Sequence, residues 1–305
     1  MVPENPPVLA NDVARETFRA MGTDVTVLVN PAEGIRATLD TVRTCFEEVE
    51  QAASRFRPHS ELNRLARDES RIPSPLLTAL HHQAALVFRA TDGVVTPFVR
   101  AALEDAGYDR SFDTRSSLAT PGAHHRPARR RGSGNFWAEL DFGGVGKGWT
   151  VGRALRRLTP DGGGILIDAG GDIGVVGRGP DAGAWHIAID GPSGARVRLR
   201  ACIRNGGIAT SSRARRAWSG PHGAAHHLID PITGRPAQSD IVQATASARS
   251  TLWAEVAAKA LVIRGAGFAP LVRQWLPEVA LAWTHADGTF HADAAFRTAG
   301  QSCAA

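Results

Sequence analysis

Four short stretches combine residue types and spacings that can do chemistry. The first, DFGGVGKGWT at residues 141–150, sets Asp141 and Lys147 around a glycine-dense turn directly behind FWAELDF. Glycines at this density let a backbone approach a ligand closely. Amides at a helix start, together with an ammonium, make an anion site. Neither common phosphate loop fits. Lys147 is followed by Gly148 where a Walker loop needs Ser or Thr, and Gly144, Gly146 and Gly148 lack the G-x-G-x-x-G spacing of a dinucleotide fingerprint. The same residues also suit a tight turn with a lysine stem lying along apolar surface.

In LIDAGGDIGVVG, residues 166–177, Asp168 and Asp172 flank a Gly-Gly turn, residues that a β-turn uses anyway. HHLIDPITGRP, residues 226–236, offers His227 for acid–base work near neutral pH. A lone histidine is as readily a structural group, and Asp230 before Pro231 suits an Asx-turn. In AEVAAKAL, Glu255 and Lys259 stand four residues apart on one helix face. Such a pair is usually a surface ion pair worth about 0.3–0.5 kcal/mol. On a buried face the same groups are an acid and a cation one turn apart. Lys147 and Lys259 are the only lysines in a chain whose other basic side chains are arginine, which points to sites wanting a compact ammonium.

These stretches need elements to hold them. TFRAMGTDVTVLV, residues 17–29, alternates at Val25, Val27 and Val29 as a half-buried strand does. Ile35, Leu39, Val42, Phe46 and Val49 recur at helical spacing. Ser74 and Pro75 open a second helix, which Asp92-Gly93 stops. FWAELDF, ILIDAG, DIGVVG, AWHIAID and RVRLRA read as short strands. A helix starts within the glycine stretch, and STLWAEVAAKALVIRG forms another with Ser250 or Thr251 as cap. Helices and strands mix without strict β-α-β alternation, so the fold class is α+β, in a single large domain. It spans residues 16–300, behind a disordered tail at 1–15. TPGAHHRPARRRGSGN marks a flexible arginine-rich loop at 115–135.

Composition excludes several classes. No apolar run approaches the ~20 residues of a membrane span, so no integral membrane protein is expected. The start lacks a basic n-region, an apolar h-region and a nearby cysteine, which makes the cytoplasm the default. Cys45, Cys202 and Cys303 offer neither zinc spacing nor a disulfide framework. The arginines are scattered, and RPARRR has no interleaved aromatics. No nucleic acid partner is expected despite the basic balance.

In their order along the chain these stretches resemble the FAD:protein FMN transferase family, the ApbE-type flavin transferases. The family's pattern appears as Met21-Gly22-Thr23, SRFRPHSELNRL from Ser54, DGVVTPF from Asp92, DFGGVGKG, AGGD at 169–172, ATS at 209–211 and HLIDPITGRP from His227. The resemblance implies T-fold-like mixed sheets packed with helices. It also implies a magnesium-dependent reaction in which a threonine of a client flavoprotein attacks FAD, keeps FMN and releases AMP. Carried over by position, Asp141 and Lys147 contact FAD, while Met21, Thr96, Pro97 and Ile229 line it. His227 sits near the reacting phosphate, with Asp141 as its catalytic companion, and the Gly144 carbonyl meets Mg²⁺. Two family ligands on the last helix, an Asp and a Thr four residues on, are here Glu255 and Lys259. Gly152 also replaces a common Asp. A lysine for a hydroxyl cannot ligate Mg²⁺. Two further activities suit such a site: FAD binding or delivery without transfer, and FAD hydrolysis to FMN and AMP.

Overall fold

The alternating run over residues 17–29 is a hairpin, not one strand: β1 (Ala14–Ala20) and β2 (Thr23–Asn30) pair antiparallel around Met21-Gly22. Both turn residues have positive φ, 50° and 67°, as a type I′ turn requires to match strand twist. The structure, a computed structural model, describes residues 12–31, 33–111, 135–160, 162–180, 183–192, 197–220 and 223–298. Most of the tail expected at 1–15, and all of the expected 115–135 loop except Asn135, lie outside the described residues.

The remaining strands are β3 (Gly164–Ala169), β4 (Asp172–Gly177), β5 (Trp185–Asp190), β6 (Val197–Ile203) and β7 (Gly206–Ser212). Then come β8 (Ala217–Gly220), β9 (Gly223–His226), β10 (Ile229–Asp230), β11 (Arg235–Pro236) and β12 (Ile241–Ala248). β13 (Ala280–His285), β14 (Phe290–Ala292) and β15 (Phe296–Thr298) close the chain. Eight strands form one sheet in the order β1-β2-β3-β4-β7-β12-β13-β14, and β15-β6-β5 form a second. Ile165, Ile167 and Ala169 of β3 pack on one face with Val25, Val27 and Val29. Leu166 packs on the other with Trp185, Ile187, Ile189 and Leu199 of the second sheet. Period-2 alternation thus puts helices on one side of the large sheet and the small sheet on the other.

The helices are α1 (Ile35–Ala53), α2 (Glu61–Leu65), α3 (Pro75–Ala90), α4 (Arg100–Asp105), α5 (Gly146–Arg156), α6 (Thr251–Arg264) and α7 (Ala269–Trp275). α3 opens as expected, its Ser74 hydroxyl accepting the Leu77 N–H at 3.2 Å. Ser250 caps α6 by accepting the Trp253 N–H at 3.3 Å, and Gly265 ends it at φ 86°. Between Thr251 and Ile263 every residue of α6 except Trp253 is buried. A helix apolar all round belongs in a core, so Glu255 and Lys259 are not a surface pair.

The α+β expectation holds, with two local corrections. FWAELDF is not a strand: Phe136–Glu139 form a 3₁₀ turn, capped by Asn135 through the Trp137 N–H at 3.0 Å. Phe136 stacks edge-on to Phe98 instead of joining a ladder, and tertiary packing overrides the alternation. Cys202 is disulfide-bonded, contrary to the reading from spacing, while Cys45 is free and buried.

Candidate active site

A cavity of about 320 Å³ opens beside α6, within the size range of small-ligand sites. Its walls come from the end of α1 with Ser54–Arg57, the Val94–Val99 segment, the glycine turn, His227–Ile229, and Lys259 and Ile263 of α6. Met21, Thr96, Asp141, Gly144, Lys147, His227, Ile229 and Lys259 all line it. Two expected site residues stand one step back. Pro97 supports the wall, its carbonyl accepting the Asp141 N–H at 2.8 Å. Glu255, fully buried, lies beneath the lysines.

The glycine turn is fixed through Asp141. One carboxylate oxygen accepts the Gly143 N–H at 2.7 Å and the other accepts Arg55 Nε at 2.5 Å. The Arg55 guanidinium lies 4.1 Å from the Phe56 ring centre and 4.7 Å from that of Tyr108, a cation–π arrangement that holds it flat. Its Nη2 is buried without a hydrogen-bond partner. Past the turn, α5 crosses α6 in close contact at Gly148. A Cβ there would lie 2.7 Å from Glu255 Oε2 and 2.9 Å from both Leu252 Cα and the Thr251 carbonyl. The glycine is required for this close approach. It also lets the Gly148 N–H reach Glu255 Oε2 at 2.9 Å.

Charges gather behind the turn. Lys147 Nζ donates to Asp172 Oδ2 and stands 3.7 Å from Glu255 Oε1. Burial pulls its pKa down from 10.5 to about 7, opposed by the Glu255 carboxylate. Lys259 Nζ donates to the carbonyls of Gly143 at 3.1 Å and Gly144 at 3.0 Å, and to Glu255 Oε1. Asp168 remains a turn residue, accepting the Gly171 N–H at 2.7 Å. Burial raises its carboxyl above the ordinary range.

His227 is half-buried, its Nδ1 sealed without a partner. Burial, and then the charges of Arg216 and Lys259, push its pKa well below the usual 6.5. The imidazole is neutral at neutral pH. His226 holds the segment in place, its Nε2 3.0 Å from the Ala237 carbonyl and its Nδ1 accepting the Leu228 N–H at 3.3 Å. Arg216, on the cavity wall, donates to the Gly22 carbonyl at 3.3 Å. Arg55, Asp172 and Arg216 escaped the reading of the sequence. Asp172 carried a signal as the last residue of AGGD and Arg55 as the second of SRFRPHSELNRL, whereas Arg216 lay outside every quoted stretch.

These residues do not fit magnesium at the position the resemblance assigns. The Gly144 carbonyl and the carboxylate of residue 255 are both bound to the Lys259 ammonium. Mg²⁺ needs oxygens at about 2.0–2.1 Å, which would force it against that like charge. Among the described residues, no group of three or more His, Cys, Asp or Glu side chains could hold a metal ion.

The layered sheets, the buried α6 and its flanking cavity make the fold of solved flavin transferases. The ApbE protein of Thermotoga maritima superposes with a TM-score of 0.74 at 20% identity, over 92% of this chain and 97% of that one. The flavin transferase ApbE from Vibrio cholerae gives 0.71 at 22% identity, over 93% and 97%. The ApbE family profile matches residues 21–280, and the chain belongs to the ApbE family. The FAD:protein FMN transferase of Vibrio cholerae serotype O1 is 26% identical over 267 residues, 80% of this chain and 79% of the relative. That of Treponema pallidum is 24% identical over 270 residues, 77% and 73%.

Proposed function

We propose that this protein is an FAD:protein FMN transferase, moving FMN from FAD to a threonine hydroxyl of a client flavoprotein. The observation that carries the reading is one cavity lined by Met21, Thr96, Asp141, Lys147, His227 and Ile229, the residues that the family resemblance assigns to FAD. The relatives' shared name supports the same activity.

The threonine Oγ attacks the phosphorus of the FMN half. The bond from that phosphorus to the bridging oxygen breaks, and AMP leaves with the oxygen. The threonine proton passes to His227 on the cavity wall, a neutral imidazole that burial makes a weaker base than a free histidine, so the transfer gains from the phosphate drawing charge off the threonine oxygen as it attacks. Phosphoryl transfer depends more on positioning and charge neutralisation than on covalent help. Arg216 supplies a cationic group at the cavity wall, and Lys147, whose pKa burial lowers to about 7, supplies another when protonated. Asp141, pinned by Arg55 and the Gly143 N–H, offers a fixed acceptor for an FAD hydroxyl or ring nitrogen.

The test is to mix the purified chain with FAD and a client carrying the family-like acceptor D-G-x-S/T-G-A-T. Intact mass should show FMN esterified to the client, with one AMP released per ester. Free FMN and AMP without client modification would mean a pyrophosphatase, and unchanged bound FAD a carrier; either outcome defeats the transferase reading.

No helix among the described residues is long and apolar enough to cross a membrane.

A further inference from the structure

Lys259 meets the chain's own oxygens much as a bound metal ion would. Its Nζ donates to the Gly143 and Gly144 carbonyls at 3.1 and 3.0 Å and to Glu255 Oε1. Three ammonium donors thus meet three acceptors. Glu255 is 0% exposed, and its second oxygen is held by the Gly148 N–H at 2.9 Å. The carboxylate is therefore oriented from two sides and cannot swing away to another ion. Two carbonyls and a carboxylate form the all-oxygen set that a hard cation takes. Here a side chain provides the cation.

The same ammonium lines the cavity that Lys147 and His227 face. We propose that Lys259 is a built-in cation standing where the family resemblance puts magnesium, so that this chain takes up the diphosphate of FAD without a divalent metal. The proposal rests on the flavin transferase reading above. Removing the carboxylate at 255 would leave Lys259 as a buried cation without its anionic partner, so a lysine at 259 requires an acid at 255. Glu255 also reaches further than Asp by one methylene, toward both lysines. The pair is electrically neutral where Mg²⁺ on a single carboxylate would keep one positive charge. Lys259 therefore replaces the ion's position with less net charge.

The test titrates FAD into the full chain, first with EDTA and then with millimolar MgCl₂. The expected affinity is the same within about threefold, whereas a linked metal typically couples by about 5- to 150-fold. Tightening by more than about threefold on adding Mg²⁺ overturns the proposal. Electron paramagnetic resonance of Mn²⁺ added to the protein alone gives an independent reading. The wild type should leave Mn²⁺ free, and tight binding by the wild type also overturns the proposal. The double variant Glu255→Asp/Lys259→Thr should bind Mn²⁺ and make FAD affinity magnesium-dependent by about tenfold or more. A folded double variant that does neither counts against the proposal, and if it does not fold the two wild-type measurements decide. Absence of FAD binding in both buffers defeats the flavin reading itself, while the Mn²⁺ spectrum still reports whether Lys259 excludes a metal.

Discussion

Gly148→Ala should destabilise the protein although it puts a better helix former into α5. The added Cβ would meet Glu255 Oε2 at 2.7 Å and two α6 backbone sites, Leu252 Cα and the Thr251 carbonyl, at 2.9 Å. Backbone atoms of a buried helix cannot rotate away, so α5 and α6 must separate by several tenths of an ångström. Overpacking of this kind costs about 1–3 kcal/mol. Separation also weakens the 2.9 Å bond from the Gly148 N–H to the Glu255 carboxylate, and hydrogen bonds to charged groups are worth about 1.5–3 kcal/mol. Against this, alanine recovers up to about 1 kcal/mol of helix propensity. The net loss is about 2–4 kcal/mol, a fall in Tm of roughly 5–10 °C. Gly144→Ala is the control, because its Cβ would meet only Val95 Cγ1, at an ordinary 3.5 Å. It should be neutral or gain up to about 1 kcal/mol through the unfolded chain. Urea unfolding of both variants and the wild type reads the difference. Equal stability of Gly148→Ala and wild type, or an equal loss from Gly144→Ala, would refute the reasoning.

Arg55→Ala should cost about 3–5 kcal/mol in urea unfolding, since it strands the buried Asp141 carboxylate; a loss below about 1 kcal/mol would mean that water screens the pair. Lys147→Ala should weaken FAD binding by about 1–2 kcal/mol, measured by calorimetry, if the ammonium meets the diphosphate. An unchanged affinity would confine Lys147 to its pair with Asp172. For His227 the folded pKa lies below the unfolded value, so the unfolded chain takes up the proton first as pH falls. Its effect on stability is absent above pH ~6.5, and below it stability falls by at most about 1.4 kcal/mol per pH unit until the folded pKa is passed. Comparing denaturation midpoints of wild type and His227→Gln between pH 7.5 and 5 isolates this contribution, and parallel curves would contradict it.

The elements that announced themselves did so through local chemistry. α3 carries Ser74 as cap and Pro75 in its first turn, and α6 carries Ser250, all visible as residue types in order. β3 and β4 are apolar runs bounded by glycine or charge, while β5 (WHIAID) and the start of β6 (VRLR) alternate as half-buried strands do. The central strands β7 and β12 are different: GGIATSS and IVQATASA are built of small residues and look weak on propensity. They are small because α6 lies against them, a reason that exists only in three dimensions. Met21-Gly22 hid its turn because methionine rarely takes positive φ. In the site, His227 and Lys147 were legible as chemistry, but Asp172 looked like a turn residue, and Arg55 stood inside the quoted SRF stretch with nothing local to show that it pairs with Asp141 86 residues away. The burial of α6 was readable in principle. Apart from Glu255 and Lys259, the stretch from Ala254 to Ile263 has no polar face to turn to water.

That burial gives the two lysines a common physical cause. Lys147 comes from the first turn of α5 and Lys259 from the middle of α6, and both reach Glu255 Oε1. No other lysine exists in the chain. The acceptors at Lys259 are two successive backbone carbonyls and one carboxylate, gathered around a point. A guanidinium spreads its five donors in one plane and cannot address such a set from a single atom, whereas an ammonium can. With Lys259 only 6% exposed, the larger planar group would also overpack the site. Lys147 pairs with Asp172 and Lys259 with Glu255, so each of these buried carboxylates has a basic partner within the fold. On the proposed flavin transferase reading, a diphosphate arriving at the cavity wall would meet basic groups already oriented by buried carboxylates, the preorganisation that phosphoryl transfer exploits.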